Sequence, residues 1–422
     1  MAALILLTAA VRPRIATGGF GAVDIALAAC LVAVALQLVP LAAPVRDALS
    51  PHLDEVESIL WLRGPAAASH VGPLTVDPGS TRFALALATA FVLAFWTARE
   101  IFARGGIRVA SRGIAATGLA LALVGLLQHA TAPARLYWFY PTIFGAPFGP
   151  FLNRNDFAAW LIMALPLSIG YMLTRVASYS PTGDVSLSLV HLADRTMVWL
   201  AAAACLMTAA LLTSLSRSGL LGALASLACL LSLSRFRGGV TDRGSLWVGA
   251  LVVAVVAIAY ANLGALADRV GETLASGIGG RRTIWRETWP MVRDFCGTGV
   301  GAGAYERAML VYQRTKGLFY FNHAHDEYLQ IAAEGGALLG IPAVLVMVAS
   351  IRRIAGQLRA DRTPIFWVRA GAASGLVAAA VQSVWDTGLR MPANAILFAI
   401  LAALAMHPGR NAQPSEPRAR GA

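Results

Sequence analysis

A succession of apolar runs, each near the length that crosses a bilayer, limits this chain's fold more than any other feature. A spanning helix needs about 20 apolar residues to cross ~30 Å of hydrocarbon. Hydropathy along the chain gives about ten such spans: Gly19–Ala43, Arg82–Ala98, Gly113–Ala130, Phe157–Leu173, Met197–Thr213, Gly219–Leu233, Ser245–Leu263, Leu338–Ser350, Ile365–Val384 and Pro392–Met406. Only 13% of the 422 residues are charged and 57% are hydrophobic, whereas a soluble domain carries about 25% charge. The expected fold is therefore an all-α integral membrane protein. It divides into a transmembrane bundle over 1–263, a large loop with interfacial helices over 264–337, C-terminal transmembrane helices over 338–406, and a disordered tail over 407–422 rich in Pro, Arg, Ala and Gly.

The net charge of +12 invites a nucleic-acid reading, which its distribution disfavours. Roughly 19 of the 34 basic residues fall in one alternating set of loops against about 6 acids, the positive-inside pattern. Arg99, Arg104, Arg108 and Arg112, then Arg235, Arg237 and Arg243, then Arg352, Arg353, Arg359 and Arg362 mark the cytoplasmic side. Both termini fall on that side and the 264–337 loop on the other. Met1–Ala10 is too short for a signal peptide, and Arg12 and Arg14 follow it rather than precede it. The four cysteines make no disulfide framework, and no Cys/His cluster has metal-binding spacing.

Three polar features converge on the outer face in this topology. The first is the stretch Phe319–Ile341, FYFNHAHDEYLQIAAEGGALLGI. His323 and His325 precede Asp326 and Glu327, acids that suit the start of a helix. His325 is expected at a membrane–water boundary beside a helix N-terminus, where an imidazole can act as a general base. The second is Arg217, a cation in the break TSLSRSGLLG between two apolar runs, costly there unless paired or facing water. The third is FLNRNDFAAW, whose Asn153 and Asn155 suit either a polar ligand or a helix cap.

Within the large loop, GGRRTIWRETWPMVRD places Arg282, Trp285, Arg286, Trp289 and Arg293 on one helical face. An interfacial helix explains most of that face. The doubled Arg281–Arg282 also suits a diphosphate, because guanidinium offers paired donors to phosphate oxygens. The glycine run GTGVGAGAY, Gly297–Tyr305, lacks the Lys-Ser/Thr of a phosphate loop and follows no strand, so it reads as a tight turn.

Together, NRNDFAAWLIMALPL, SLSRSGLLG, GRRTIW and GTGVGAGAYE followed by HAHDEYLQIAAEGGALLGI resemble the O-antigen ligase and O-antigen polymerase superfamily of bacterial envelope glycosyltransferases. The likeness covers about Pro147–Gly340; the N-terminal third matches by hydropathy only. It implies a helical membrane bundle of the C class of glycosyltransferases, with a large periplasmic loop, in the bacterial inner membrane. The implied donor is a glycan on undecaprenyl diphosphate. The family's essential histidine maps to His325 and its two arginines to Arg217 and Arg282, with Arg281 the alternative to the latter. Asp326 stands where the family usually has Asn. His323, Asp326, Tyr328, Glu334, Asn153 and Asn155 are the remaining candidates for substrate contact.

A sugar on a lipid diphosphate already carries a good leaving group, so the expected reaction calls for no cofactor, metal or ATP. The acceptor stays open between lipid A–core, a growing polysaccharide and a protein hydroxyl, the last making the chain an O-oligosaccharyltransferase. A non-enzymatic transporter of lipid-linked glycan would also use arginines, but it would carry its polar groups at mid-membrane. A solute channel would spread ionisable residues along several spans, whereas Asp24 alone lies well inside one.

Overall fold

Capping residues and glycines set where the helices begin and bend. The computed structural model describes residues 8, 10, 21–61, 71–133, 135–142, 147–179, 194–237, 280–315 and 320–408. Its helices are α1 (Ala22–Leu36), α2 (Ala43–Leu49), α3 (Leu53–Trp61), α4 (Pro78–Ala103), α5 (Ile107–Thr131), α6 (Arg154–Tyr179), α7 (Arg195–Thr213), α8 (Arg217–Arg237), α9 (280–294), α10 (Tyr305–Tyr312), α11 (Glu327–Ala360), α12 (Phe366–Gln382) and α13 (Pro392–Ala405). Among the described residues there are also a 3-10 turn at Gly388–Arg390 and two antiparallel two-residue ladders: β1 (Leu41–Ala42) with β2 (Val71–Gly72), and β3 (Arg135–Leu136) with β4 (Tyr140–Pro141). The chain forms two compact units, one of Met1–Thr97, Ala257–Ala349 and Ala380–Ile396, the other of Ala98–Val256, Ser350–Ala379 and Leu397–Ala422.

The first unit contains a core like that of a soluble domain. Leu53 and Val56 of α3, Met291 of α9, Phe295, Val300, Tyr305, Ala308 and Met309 of α10 and its approach, and Ala324 and Ala333 pack as one buried cluster. Buried polar groups tie its pieces together. Arg46 of α2 pairs with Asp54 at 2.9 Å and with Glu57. Glu287 of α9 accepts from the Arg314 and Thr315 N–H groups at 3.1 and 3.0 Å. α4 starts at Pro78, whose ring suits the first helical position. Asp77 caps it by accepting from Gly79 and Ser80 N–H at 3.0 and 3.1 Å. Asp24 falls in the first turn of α1, not inside a span as the hydropathy suggested, because the helix begins at Ala22. There it accepts from Trp96 Nε1 at 2.8 Å.

In the second unit α6 is the central element. Phe157, Ala158, Leu161, Met163, Ala164 and Leu167 are all fully buried along it. Small residues let backbones approach: a Cβ on Gly170 would lie 2.2 Å from the Trp367 carbonyl oxygen, and one on Gly371 would lie 2.3 Å from that of Pro166. Fully buried Arg369 pairs with Asp361 at 2.6 Å. The β3–β4 hairpin exposes Phe139 and Tyr140, in keeping with an aromatic loop at an interface.

Among the described residues, six helices are long and apolar enough to cross a membrane: α4, α5, α6 (over Arg154–Ser178), α7, α8 and α11. They cover the expected second to sixth and eighth spans. α1, α12 and α13 occupy the first, ninth and tenth but are shorter, at 15, 17 and 14 residues. Fourteen residues rise only about 21 Å. The expected span Ser245–Leu263 and the tail beyond residue 408 lie outside the described residues. The chain is a predominantly helical membrane protein, as its composition required.

Candidate active site

The His-Ala-His stretch sits in a turn held at both ends. Asp326 caps α11, its Oδ1 accepting from Tyr328 and Leu329 N–H at 3.0 Å each. Burial pushes its carboxyl above the ordinary value, while these two donors pull it back. The Glu327 N–H donates to the Ser383 carbonyl at 2.8 Å, and the Tyr328 hydroxyl to that of Ala380 at 2.9 Å. The acids after the histidines thus begin a helix, as their sequence position indicated.

His325 has φ +50°, a left-handed conformation uncommon outside glycine. Its side chain is 34% exposed, with Nδ1 turned inward and buried. That nitrogen lies 4.0 Å from Oδ1 of Asp386, a carboxylate only 1% exposed. The other Asp386 oxygen, Oδ2, is 3.7 Å from Nη2 of Arg281. These are ion-pair separations, longer than hydrogen bonds. Neither His325 Nδ1 nor Asp386 Oδ2 has a hydrogen-bond partner among the described residues. Of the doubled arginines, Arg281 therefore approaches this centre, while Arg282 is exposed.

A second layer lies behind. Arg390 donates to Glu334 at 2.9 Å and reaches Glu327 at 3.4 Å. Burial alone would lower the Arg390 value, but the two carboxylates outweigh it and hold the guanidinium charged. Gln330 donates to the other Glu334 oxygen at 3.0 Å and lies 3.4 Å from His323 Nδ1. Burial, helped by the nearby Arg390 charge, lowers the His323 value and favours its neutral form. The ion pairs at His325 and Arg390 set three carboxylates (Glu327, Glu334, Asp386) against two guanidiniums (Arg281, Arg390).

The glycine run is a clamp. Gly299, Gly301 and Gly303 have φ of +70°, +108° and +76°. The amides of Val300 and Gly301 donate to the carbonyls of Ala333 and Glu334 at 3.0 Å each. The Ala302 amide donates to Gln37 Oε1 at 2.9 Å. In return Ala337 and Leu338 donate to Cys296 and Gly297. α11 kinks at Gly336 (φ 52°, ψ −149°) where this loop presses on it. A Cβ at Gly299 would stand 2.2 Å from the Glu334 oxygen. These N–H groups are occupied within the protein, which accords with a turn rather than a phosphate loop.

The other two motifs meet in the second unit. Ser216, whose Oγ accepts from Gly219 N–H at the start of α8, donates to Asn155 Oδ1 at 2.8 Å. Asn153 Oδ1 accepts from Asn155 N–H at 2.9 Å at the start of α6. The asparagines thus shape a helix start and hold the serine motif. Arg217, half-buried, is the first residue of α8, two residues after Leu215 at φ +51°.

On α9, Arg282, Arg286, Trp289 and Arg293 are exposed, while Ile284, Glu287, Thr288 and Met291 are buried. Trp285 departs from the expected outer face: its Nε1 donates to the Ala324 carbonyl at 2.9 Å. Sequence reading missed Asp386, Arg390 and Gln330. The signal available was SVWDTGLRM, a charged break between two apolar runs on the outer side of the expected topology.

A model of the family described as O-antigen ligase matches residues 202–348. The match includes Arg217, Arg281, Arg282 and both histidines, and it bears out the resemblance to the O-antigen ligase and polymerase superfamily. No curated protein matches the chain at a significant level.

Proposed function

We propose that this chain, a member of the O-antigen ligase and polymerase superfamily, is a membrane glycosyltransferase that moves a glycan from undecaprenyl diphosphate to an acceptor hydroxyl. The observation that carries the reading is the His325–Asp386–Arg281 cluster. It brings a buried carboxylate and a cation to the candidate base in the stretch that the sequence marked for chemistry.

With Nδ1 turned toward Asp386, Nε2 is left to take the acceptor proton. The acceptor oxygen forms its bond to the anomeric carbon as the bond from that carbon to the diphosphate oxygen breaks, which inverts the carbon. The electron pair leaves with the diphosphate. Asp386 is suited to hold the imidazole and offset the charge it gains. A guanidinium at the leaving diphosphate stabilises the charge that develops there. Arg281 and its exposed neighbour Arg282 are assigned that role. Arg217 is assigned it too, on its Ser-Arg-Ser motif and on the cost of a cation between apolar runs. His323, Asp326, Tyr328 and Glu334 serve this centre from behind, and Asn153 and Asn155 serve the Arg217 turn.

The reaction as proposed runs on the outer face of the inner membrane, in a chain of about ten spans, without ATP or metal. The acceptor is lipid A–core or a growing surface polysaccharide. The test is polysaccharide length and attachment, read by gel from a deletion strain expressing His325→Ala, Arg217→Ala, Arg281→Ala or Arg282→Ala at matched membrane levels. The reading expects His325→Ala to abolish product while lipid-linked glycan accumulates. Loss of core attachment identifies a ligase, and loss of chain length a polymerase. Normal product from His325→Ala would defeat the reading. Normal product there, with loss in the arginine variants, would point to a transporter.

A further inference from the structure

The two peptide groups of Ala324, the residue between the histidines, are each gripped by a side chain. The Ala324 N–H donates to Gln330 Oε1 at 2.9 Å, and its carbonyl accepts from Trp285 Nε1 at 2.9 Å. Ala324 itself is fully buried and belongs to the core cluster. Gln330 is 1% exposed and is fixed in turn by its donation to Glu334, which Arg390 holds from its other oxygen. The two grips therefore come from different elements, α9 and α11. His325 follows directly, with φ at +50°. A non-glycine residue keeps such a backbone only where its surroundings over-determine it.

We infer that Trp285 and Gln330 are positioning residues that lock the Ala324 peptide groups and so aim the His325 imidazole between Asp386 and the acceptor hydroxyl. This rests on the reading of His325 as the base. Freed from the grips, the turn relaxes toward ordinary backbone angles and the ring leaves its place beside Asp386. Neither residue then contributes to donor binding. A base displaced by about 1 Å can cost on the order of 10²-fold in rate.

The experiment uses the full-length protein in membrane-mimetic discs, with a lipid-diphosphate glycan donor. It compares wild type, Trp285→Phe, which keeps an aromatic ring and loses the N–H, and Gln330→Leu, which keeps bulk and loses the acceptor. The expected result is a 10- to 100-fold fall in kcat for each, with donor KM within about twofold and a near-unchanged melting temperature. Trp285→His, which restores a ring N–H, should recover part of the loss. Full kcat in both single variants overturns the inference, as does a fall in kcat that comes with equal changes in KM and melting temperature. If one variant does not fold, the other decides on the same criteria. His325→Ala is run alongside: if it is inactive while Trp285→Phe and Gln330→Leu are normal, only the positioning role fails. If His325→Ala is itself active, the base assignment fails first.

Discussion

Two loops dock against the N-terminal part of α11, and they use their polar groups in opposite ways. In the glycine loop, successive amides from Gly299 to Ala302 donate to the carbonyls of Phe295, Ala333 and Glu334 and to the Gln37 side chain. In the turn that carries His325, buried polar atoms are left over: His325 Nδ1 and Asp386 Oδ2, with Glu327 Oε2 and Arg390 Nε behind, find no hydrogen-bond partner among the described residues. A buried polar group without a partner costs about 1–3 kcal/mol. The glycine loop spends its hydrogen bonds on holding a kinked helix. The histidine turn leaves polar capacity unused, which suits the site proposed there.

That contrast can be broken in either loop. The largest effect is expected from Gly299→Ala. Its Cβ would collide with backbone at 2.2 Å, at a φ of +70°, and should cost about 3 kcal/mol or more. A melting curve in detergent should show the loss, or too little protein should reach the membrane to measure. Next comes Asp386→Asn, which preserves shape and removes charge. It should lower kcat about 10²-fold, roughly 2.7 kcal/mol of barrier, with the melting temperature little changed. If these two variants exchanged phenotypes, the division between a structural loop and a chemical one would be wrong.

A smaller effect sharpens the second layer. Burial lowers the His323 value in the folded protein. As pH falls below the ordinary value near 6.5, the unfolded chain takes up that proton first. The His323 contribution is therefore complete above that pH and is lost in the window beneath it. Melting temperature should fall on acidification through this window, and His323→Gln should flatten part of the slope. The smallest effect is expected on the outer face of α9. Trp289 is 62% exposed, and Trp289→Ala should change stability by about 0.5 kcal/mol or less in detergent. A larger loss would mean that this face packs against protein.

Much of this arrangement was legible in the sequence because bilayer thickness and helix chemistry act locally. The run Phe157–Leu173 became α6 over Arg154–Tyr179, and Asp326 caps the helix that its position announced. Gln330 lies within the stretch first singled out, yet its role was hidden because a glutamine in a helix does not show which peptide it grips. Asp386 and Arg390 were hidden for a different reason. They lie far downstream, and their meaning comes only from facing His325 and Glu334. The packed core of α3, α9 and α10 was also missed. Its helices are short and amphipathic, so a window sized for a bilayer leaves them outside every span, and the pattern of α9 alone reads as an interfacial helix. That Arg281 rather than Arg282 lies near Asp386 depends on the direction of each side chain around α9, which adjacent identical residues cannot reveal.

The most direct test of the central claim is to measure donor binding and glycan transfer side by side on purified His325→Ala. The protein would be reconstituted with a lipid-diphosphate glycan and a hydroxyl acceptor. If His325 is the base, donor binding stays within about twofold of wild type and transfer falls by about 10²–10⁴-fold. Transfer at the wild-type rate with donor bound would show that the imidazole takes no proton in the reaction, and the site would have to be sought elsewhere in the chain.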